Sequence, residues 1–157
     1  MAVTEDTIRS DYPLPVYNYR VEIDGETVAF SEVSGLSINY EVTTYKESPT
    51  SSNAAGPRII LMPSQIQQPT VSLKKGLVRK TSIALLYNWI NSTATNVIVK
   101  KDIVVRLCDE TGTPVVSWTV HNAFPTKLDA PTFDANSNDA AIESMELRAD
   151  KITMAES

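Results

Sequence analysis

Residues 11–25, DYPLPVYNYRVEIDG, followed by residues 30–47, FSEVSGLSINYEVTTYKE, decide the fold of this chain. Apolar and polar residues alternate in both stretches, the pattern of strands with one face buried. Asp24-Gly25 interrupts the alternation with a tight-turn pair, because Gly tolerates the positive φ such turns require. The pattern predicts a strand over 16–23 and another over 28–33. After Ser34-Gly35 it predicts a long extended segment over 36–46, with Ile38, Tyr40 and Val42 on one face. The small, polar stretch ESPTSSNAAGP (47–57) reads as a tip. The chain then returns through RIILM (58–62) and PTVSLKK (69–75). Residues 36–75 thus form a long hairpin, only part of which can pack on its own domain.

One helix is expected, over 81–92. Thr81 or Ser82 can cap it, and Ile83, Leu86, Tyr87 and Ile90 make one apolar face that Leu85 and Trp89 widen. A helix this short depends on packing, so it should lie across a sheet. Strands over 97–108 and 114–124 form a second hairpin around Asp109–Gly112. Pro125 and Pro131 bracket a short extended piece, and FDANSND is loop. The last strand spans 140–154, with a bulge or bend at Glu143-Ser144, where the apolar phase slips. The expected fold is mainly β: a two-sheet sandwich or squashed barrel with one short helix, in a single domain over 1–157.

The chain has 157 residues, enough to bury a core without staples. No apolar run approaches the roughly 20 residues that span a bilayer. The polar, acidic N-terminus is unlike a secretory signal peptide. One cysteine excludes an intrachain disulfide and suggests a reducing compartment. A soluble cytoplasmic product, or one exported without such a signal, is expected. The net charge of -5 argues against general nucleic-acid binding. Its distribution is uneven: Lys74, Lys75, Arg79, Lys80, Lys100, Lys101 and Arg106 face a single acid, Asp102, within 74–106, and the flanks are acidic. Separate basic and acidic regions let copies of a chain pair head to tail.

Catalytic constellations are missing. His121, the one histidine, alternates away from Trp118 and Val120, and no nucleophile motif accompanies it. One Cys and one His cannot make a protein-only zinc site, and Cys108 reads as a small buried hydrophobe. DANSNDAAIESM (134–145) begins like a calcium loop, but Asp139 stands where Gly is needed and Met145 where Glu is needed. Asn91-Ser92-Thr93 matches a glycosylation sequon that a cytoplasmic chain would not expose to the enzyme. No enzyme activity and no cofactor are expected. Two other classes stay open on the residues alone. One is a monomeric β-sandwich binding module using Tyr12, Tyr17 and Tyr19; the other is a carboxylate-only glycosidase.

Blocks along nearly the whole chain resemble the tube-protein family of contractile phage tails and phage-tail-like contractile injection systems. They are YPLPVYNYRVEIDG (12–25), FSEVSGLSINYEVTTYKE (30–47), MPSQIQQPTVSLKKG (62–76), the Trp89 helix, DIVVRLCDETGTPVVSWTVHNAFPTKLDAP (102–131) and AIESMELRADKITM (141–154). Their order and spacing match the family; Ser64 stands where the family commonly has Gly.

The resemblance implies an inner-tube subunit. Hexameric rings, each subunit lending strands to one continuous β-barrel, would stack into a hollow tube for cargo or DNA. Its partners would be copies of itself, sheath, baseplate and tube-terminator proteins, and luminal cargo without sequence-specific contacts. The subunit would be made in the producer's cytoplasm and end in a virion or released injection particle; a tube-initiator paralogue at the baseplate is the alternative within the family. On this reading Asn39, Glu41 and Thr43 face the lumen, opposite Ile38, Tyr40 and Val42. Lys74, Lys75, Arg79 and Lys80, with the tip residues Ser48, Pro49, Thr50, Ser51, Ser52 and Asn53, are candidates for contacts between subunits or rings. Reversing Lys74 and Lys75 to Glu is expected to impair tube formation while leaving the chain folded.

Overall fold

The structure, a computed structural model, describes residues 2–50, 55–95 and 97–156. Strands β1 (Tyr19–Ile23) and β2 (Glu26–Val28) form a hairpin through Asp24 and Gly25. Both turn residues have positive φ, 52° and 83°, the backbone of a two-residue turn matched to strand twist. The expected strand over 28–33 is instead split. Glu32–Ser34 is a separate strand, β3, and Ala29–Ser31 carries the chain from one layer to the other.

The remaining strands are β4 (Asn39–Glu47), β5 (Arg58–Gln67), β6 (Thr70–Gly76), β7 (Lys101–Cys108), β8 (Pro114–Asp129), β9 (Ile142–Arg148) and β10 (Lys151–Glu156). All except β4 and β5 form one ladder, ordered β2-β1-β7-β8-β9-β6-β3, with β10 also on β8. The ladder folds over along β8. That strand's first part pairs with β7 and β10, and its second part with β9. The fold is made at a bulge where His121 and Asn122 oppose Asp102 alone. Asn122 has φ 53°; its N–H donates to Asp102 Oδ1 at 3.0 Å and its side-chain amide to Asp150 Oδ2 at 2.8 Å. β8 runs on through Pro125, which stands opposite Leu147 beside a second register shift, between Pro125 and Lys127, the kind of irregular position where a strand tolerates proline. Among the described residues β2 and β3 do not pair with each other, so the ladder stays open.

Val21, Ile23, Ile103, Val105, Val120 and Ile152 from one layer meet Val71, Leu73, Met145 and Leu147 from the other in a single core. Tyr19 closes one end, its hydroxyl donating to Phe30 O at 2.7 Å; burial, with Glu32 nearby, pushes this phenol above its ordinary pKa. Cys108 is fully buried. The β7–β8 turn is held by Asp109, whose carboxylate accepts from Thr111 and Thr113 and is thereby kept below the usual Asp range.

Two helical features differ from expectation. A helix over Glu5–Asp11, α1, precedes the sheet; Thr4 caps it and none of its residues is buried. The second helix opens with a π-helical stretch, Ser82–Tyr87, before α2 (Asn88–Ser92). The wider turns bring Ser82, Leu86 and Trp89 inward and leave Ile83 and Tyr87 exposed, so the apolar face is not the predicted one. Trp89 anchors the helix, its Nε1 donating to Val99 O at 2.7 Å with Lys101 over the ring.

The expected last strand is two strands, β9 and β10, separated at Ala149-Asp150. No register shift falls at Glu143-Ser144. The phase looked broken because an acid, Glu143, takes an inward position. It faces Lys75 at 3.7 Å, both side chains almost fully buried. Lys75 Nζ also donates to Gly76 O, Thr81 Oγ1 and Ser82 Oγ, tying the start of the helix to β6. Glu143 Oε1 has no hydrogen-bond partner. Lys75→Ala is expected to cost about 3–5 kcal/mol by stranding that carboxylate, and Lys75→Met with Glu143→Met to recover most of the loss. Urea denaturation of the two variants checks this.

Candidate functional site: an unpartnered hairpin arm

Strands β4 and β5 pair with each other and, among the described residues, with nothing else. They continue the β3–β6 pair: Ser34 opposes Ser72, and farther out Asn39 opposes Gln67 in the same register. Gly35, at φ 85°, makes the bend between body and arm. A side chain there would meet the Thr70 carbonyl oxygen well inside van der Waals contact, so the bend needs glycine twice over.

The register assigns the two faces of the arm. Tyr40, Val42, Thr44 and Lys46 stand opposite Ile66, Pro63, Leu61 and Ile59 on one face. Asn39, Thr43, Tyr45 and Glu47 stand opposite Gln67, Met62, Ile60 and Arg58 on the other. The register slips between Tyr40 and Val42, where Ser64 and Gln65 together oppose Glu41. The first face is apolar for most of its length, with Tyr40 56%, Val42 65%, Ile59 58% and Leu61 69% exposed. The second changes character along the arm. Near the body Asn39, Glu41, Gln65 and Gln67 are polar and Arg148 borders them. Beyond the bulge Tyr45, Ile60 and Met62 make this face apolar too, up to the Glu47–Arg58 ion pair at 3.7 Å.

The residues singled out from sequence fall into several groups. Asn39, Glu41 and Thr43 are exposed on the second face, opposite Tyr40 and Val42. Gln65 and Gln67, which share that face, escaped sequence reading because the bulge sets their phase. Lys74 is partly exposed and pairs with Glu32 at 3.5 Å. Lys75 is a correction: it is buried against Glu143, unavailable for surface contacts, and Lys75→Glu would set two carboxylates together inside the core. The expectation that reversing Lys74 and Lys75 leaves the chain folded therefore falls. Arg79 and Lys80 are exposed and take part in no ion pair among the described residues. Ser48 and Thr50 are exposed and Pro49 half-buried, whereas Ser51, Ser52 and Asn53 lie outside the described residues. The described residues hold no group of His, Cys, Asp or Glu arranged to bind a metal. Asp134 Oδ1 instead accepts from Asn136 N at 3.0 Å within its own loop.

A two-stranded ribbon is marginal alone in water, and this one exposes apolar residues on both faces and unpaired backbone on both edges. Such geometry leaves the arm without a covering partner among the described residues. The sequence profile of the T4-like virus tail tube protein gp19 family matches residues 15–153, and the chain belongs to this family. It is a tail tube protein, a structural subunit. Among solved structures it is similar to a chain of the sheath–tube complex, in the extended state, of an extracellular contractile injection system (PVC). Identity is 36%, coverage 99% of this chain and 100% of that one, and the TM-score 0.87. A chain of the anti-feeding prophage tube-terminating cap is 39% identical, with both chains covered in full and a TM-score of 0.84. One from the PVC sheath/tube terminator in the extended state is 37% identical, over 93% of this chain and 99% of that one, at 0.82. A search of curated proteins gives no significant match.

Because Gly35 combines positive φ with backbone contact, Gly35→Ala is expected to destabilise the chain by about 2 kcal/mol or more. Gly76→Ala, where a Cβ meets nothing, serves as the control. Thermal and urea denaturation of the pair measures the difference.

Proposed function

We propose that copies of this chain close into hexameric rings, in which β4 and β5 of each subunit join those of its neighbours in one continuous β-barrel. The rings stack into a hollow tube that sheath, baseplate and terminator proteins surround and cap. The observation that carries this reading is the unpartnered arm. Barrel closure between subunits removes every free edge at once, which is how β proteins avoid edge-to-edge aggregation. The relatives support the choice of assembly, since the similar chains come from sheath–tube and tube-terminating complexes.

On this reading the chain works as one tail-tube domain, and its role is mechanical rather than catalytic. Asn39, Glu41 and Thr43, with Gln65 and Gln67, form the wetted wall of the channel near the body. An amide- and hydroxyl-rich wall lets protein cargo or DNA slide without adhering. The apolar face around Tyr40, Val42 and Leu61 packs against protein. The distal part of the arm, apolar on both sides, is covered by neighbours on both sides. Arg79 and Lys80, and the tip at Ser48, Pro49 and Thr50, contact adjacent subunits or rings. The subunit is made in the producer's cytoplasm and ends in a released particle.

Light scattering on the size-exclusion peak, with negative-stain images of the same fraction, tests the assembly. Rings or tubes of six-fold symmetry are expected, and a protein that stays monomeric at all concentrations would overturn it. Val42→Glu with Leu61→Glu should abolish rings. These side chains are exposed in the isolated chain, so its unfolding free energy should move by no more than about 0.5 kcal/mol.

A further inference from the structure

Beyond the arm, a second unpartnered surface is the turn–helix element that follows β6. Leu77, Val78, Ile83 and Tyr87 are each half exposed or more, and Arg79 and Lys80 lie between them without acidic partners among the described residues. Exposed apolar groups flanked by unpaired cations fit an acidic, amphipathic segment.

The chain carries one such segment, α1. Its seven residues, EDTIRSD, include three acids and one base, and none is buried. A helix this short is unstable alone. Its holds are the Thr4 cap, the Arg9–Glu5 pair and the Arg9–Glu110 pair at 3.5 Å. Ile8 and Tyr12, four residues apart, are both half exposed, and Asp6 and Asp11 have no ion-pair partner among the described residues. The helix thus offers Ile8 and Tyr12 and two unpaired acids, Asp6 and Asp11, that its own described residues leave free.

Placement explains why. Arg9 holds α1 at the β7–β8 turn, where β7 ends. Trp89 holds the turn–helix element at the other end, where β7 begins, through Val99. The two anchors, Glu110 and Val99, flank β7 at opposite ends, about 25 Å apart, so one chain does not bring α1 to the Trp89 end. A second copy approaching end to end can do so, and because the contact is heterologous it repeats from copy to copy.

We propose that the surface formed by Leu77, Val78, Arg79, Lys80, Ile83 and Tyr87 docks helix α1 of a second copy of this chain. The inference rests on the tube reading and supplies Arg79 and Lys80 with their partner.

A charge swap tests it. Asp6→Lys with Asp11→Lys, and separately Arg79→Glu with Lys80→Glu, should each lower the pelletable tube fraction at least about five-fold, because each sets like charges against each other. All four substitutions in one chain should restore it to within about two-fold of the wild type. That rescue separates docking from unravelling of α1, which a change in the distant turn could not repair. Wild-type tubes from either half-swap, or no recovery in the combined variant, would overturn the docking while leaving the tube reading intact. Absence of wild-type rings would instead remove the tube reading and the docking with it.

Discussion

Two strands alone cannot cover their own edges or both of their faces, and among the described residues the arm of this protein consists of nothing else. From Gly35 outward the chain leaves its core and runs as an isolated ribbon, apolar on one face near the body and on both faces beyond the bulge opposite Glu41. The apolar side chains exposed there would stabilise a folded core if they were inside one. Held out in water, they leave a requirement for covering surface that the isolated chain does not meet. The fold, the separation of charge and the family all bear on how that requirement is met.

The arm grows out of the body as a continuation of the β3–β6 pair. Its core is closed by two layers that share β8, and the bulge at Asn122 is pinned from both sides by Asp102 and Asp150. The buried Lys75–Glu143 pair ties the helix to the strands that continue into the arm. Burying two charges to position a turn is costly for stability, which suggests that the placement of the turn–helix surface matters more than the core packing it displaces. A braced body and an arm without partners together suit a part whose remaining contacts come from copies of itself.

Much of this was legible in the sequence. Period-two alternation gave the strands, and Asp24-Gly25 and Asp109–Gly112 gave two turns where they occur. The hairpin within 36–75 was recognisable because its tip, 47–57, is polar and small and its outgoing arm alternates; its strands are 39–47 and 58–67, while 70–76 belongs to the body. What escaped has identifiable causes. The break at Ala29–Ser31 is a change of layer within an unbroken strand-like pattern. The π-helical turns rotate Ile83 and Tyr87 outward, and a 3.6-residue period does not anticipate that. Glu143 broke the apolar phase of β9 because its partner, Lys75, lies far away in sequence. Lys75 in turn looked like a surface charge beside Lys74 when only one of the two faces water. Helix α1 has no apolar face large enough to announce itself, since its own chain does not bury it.

The central claim, that the arm is completed by neighbouring chains, concerns backbone groups as much as side chains. Hydrogen exchange of wild-type protein, followed by mass spectrometry in dissociated and assembled states, reads those groups directly. If neighbours pair with the arm, outer-edge amides within 39–47 and 58–67 should exchange rapidly in the dissociated chain. In the assembly they should slow by about 100-fold or more, while core strands such as β7 change little. Equal exchange of the arm in both states would contradict the account.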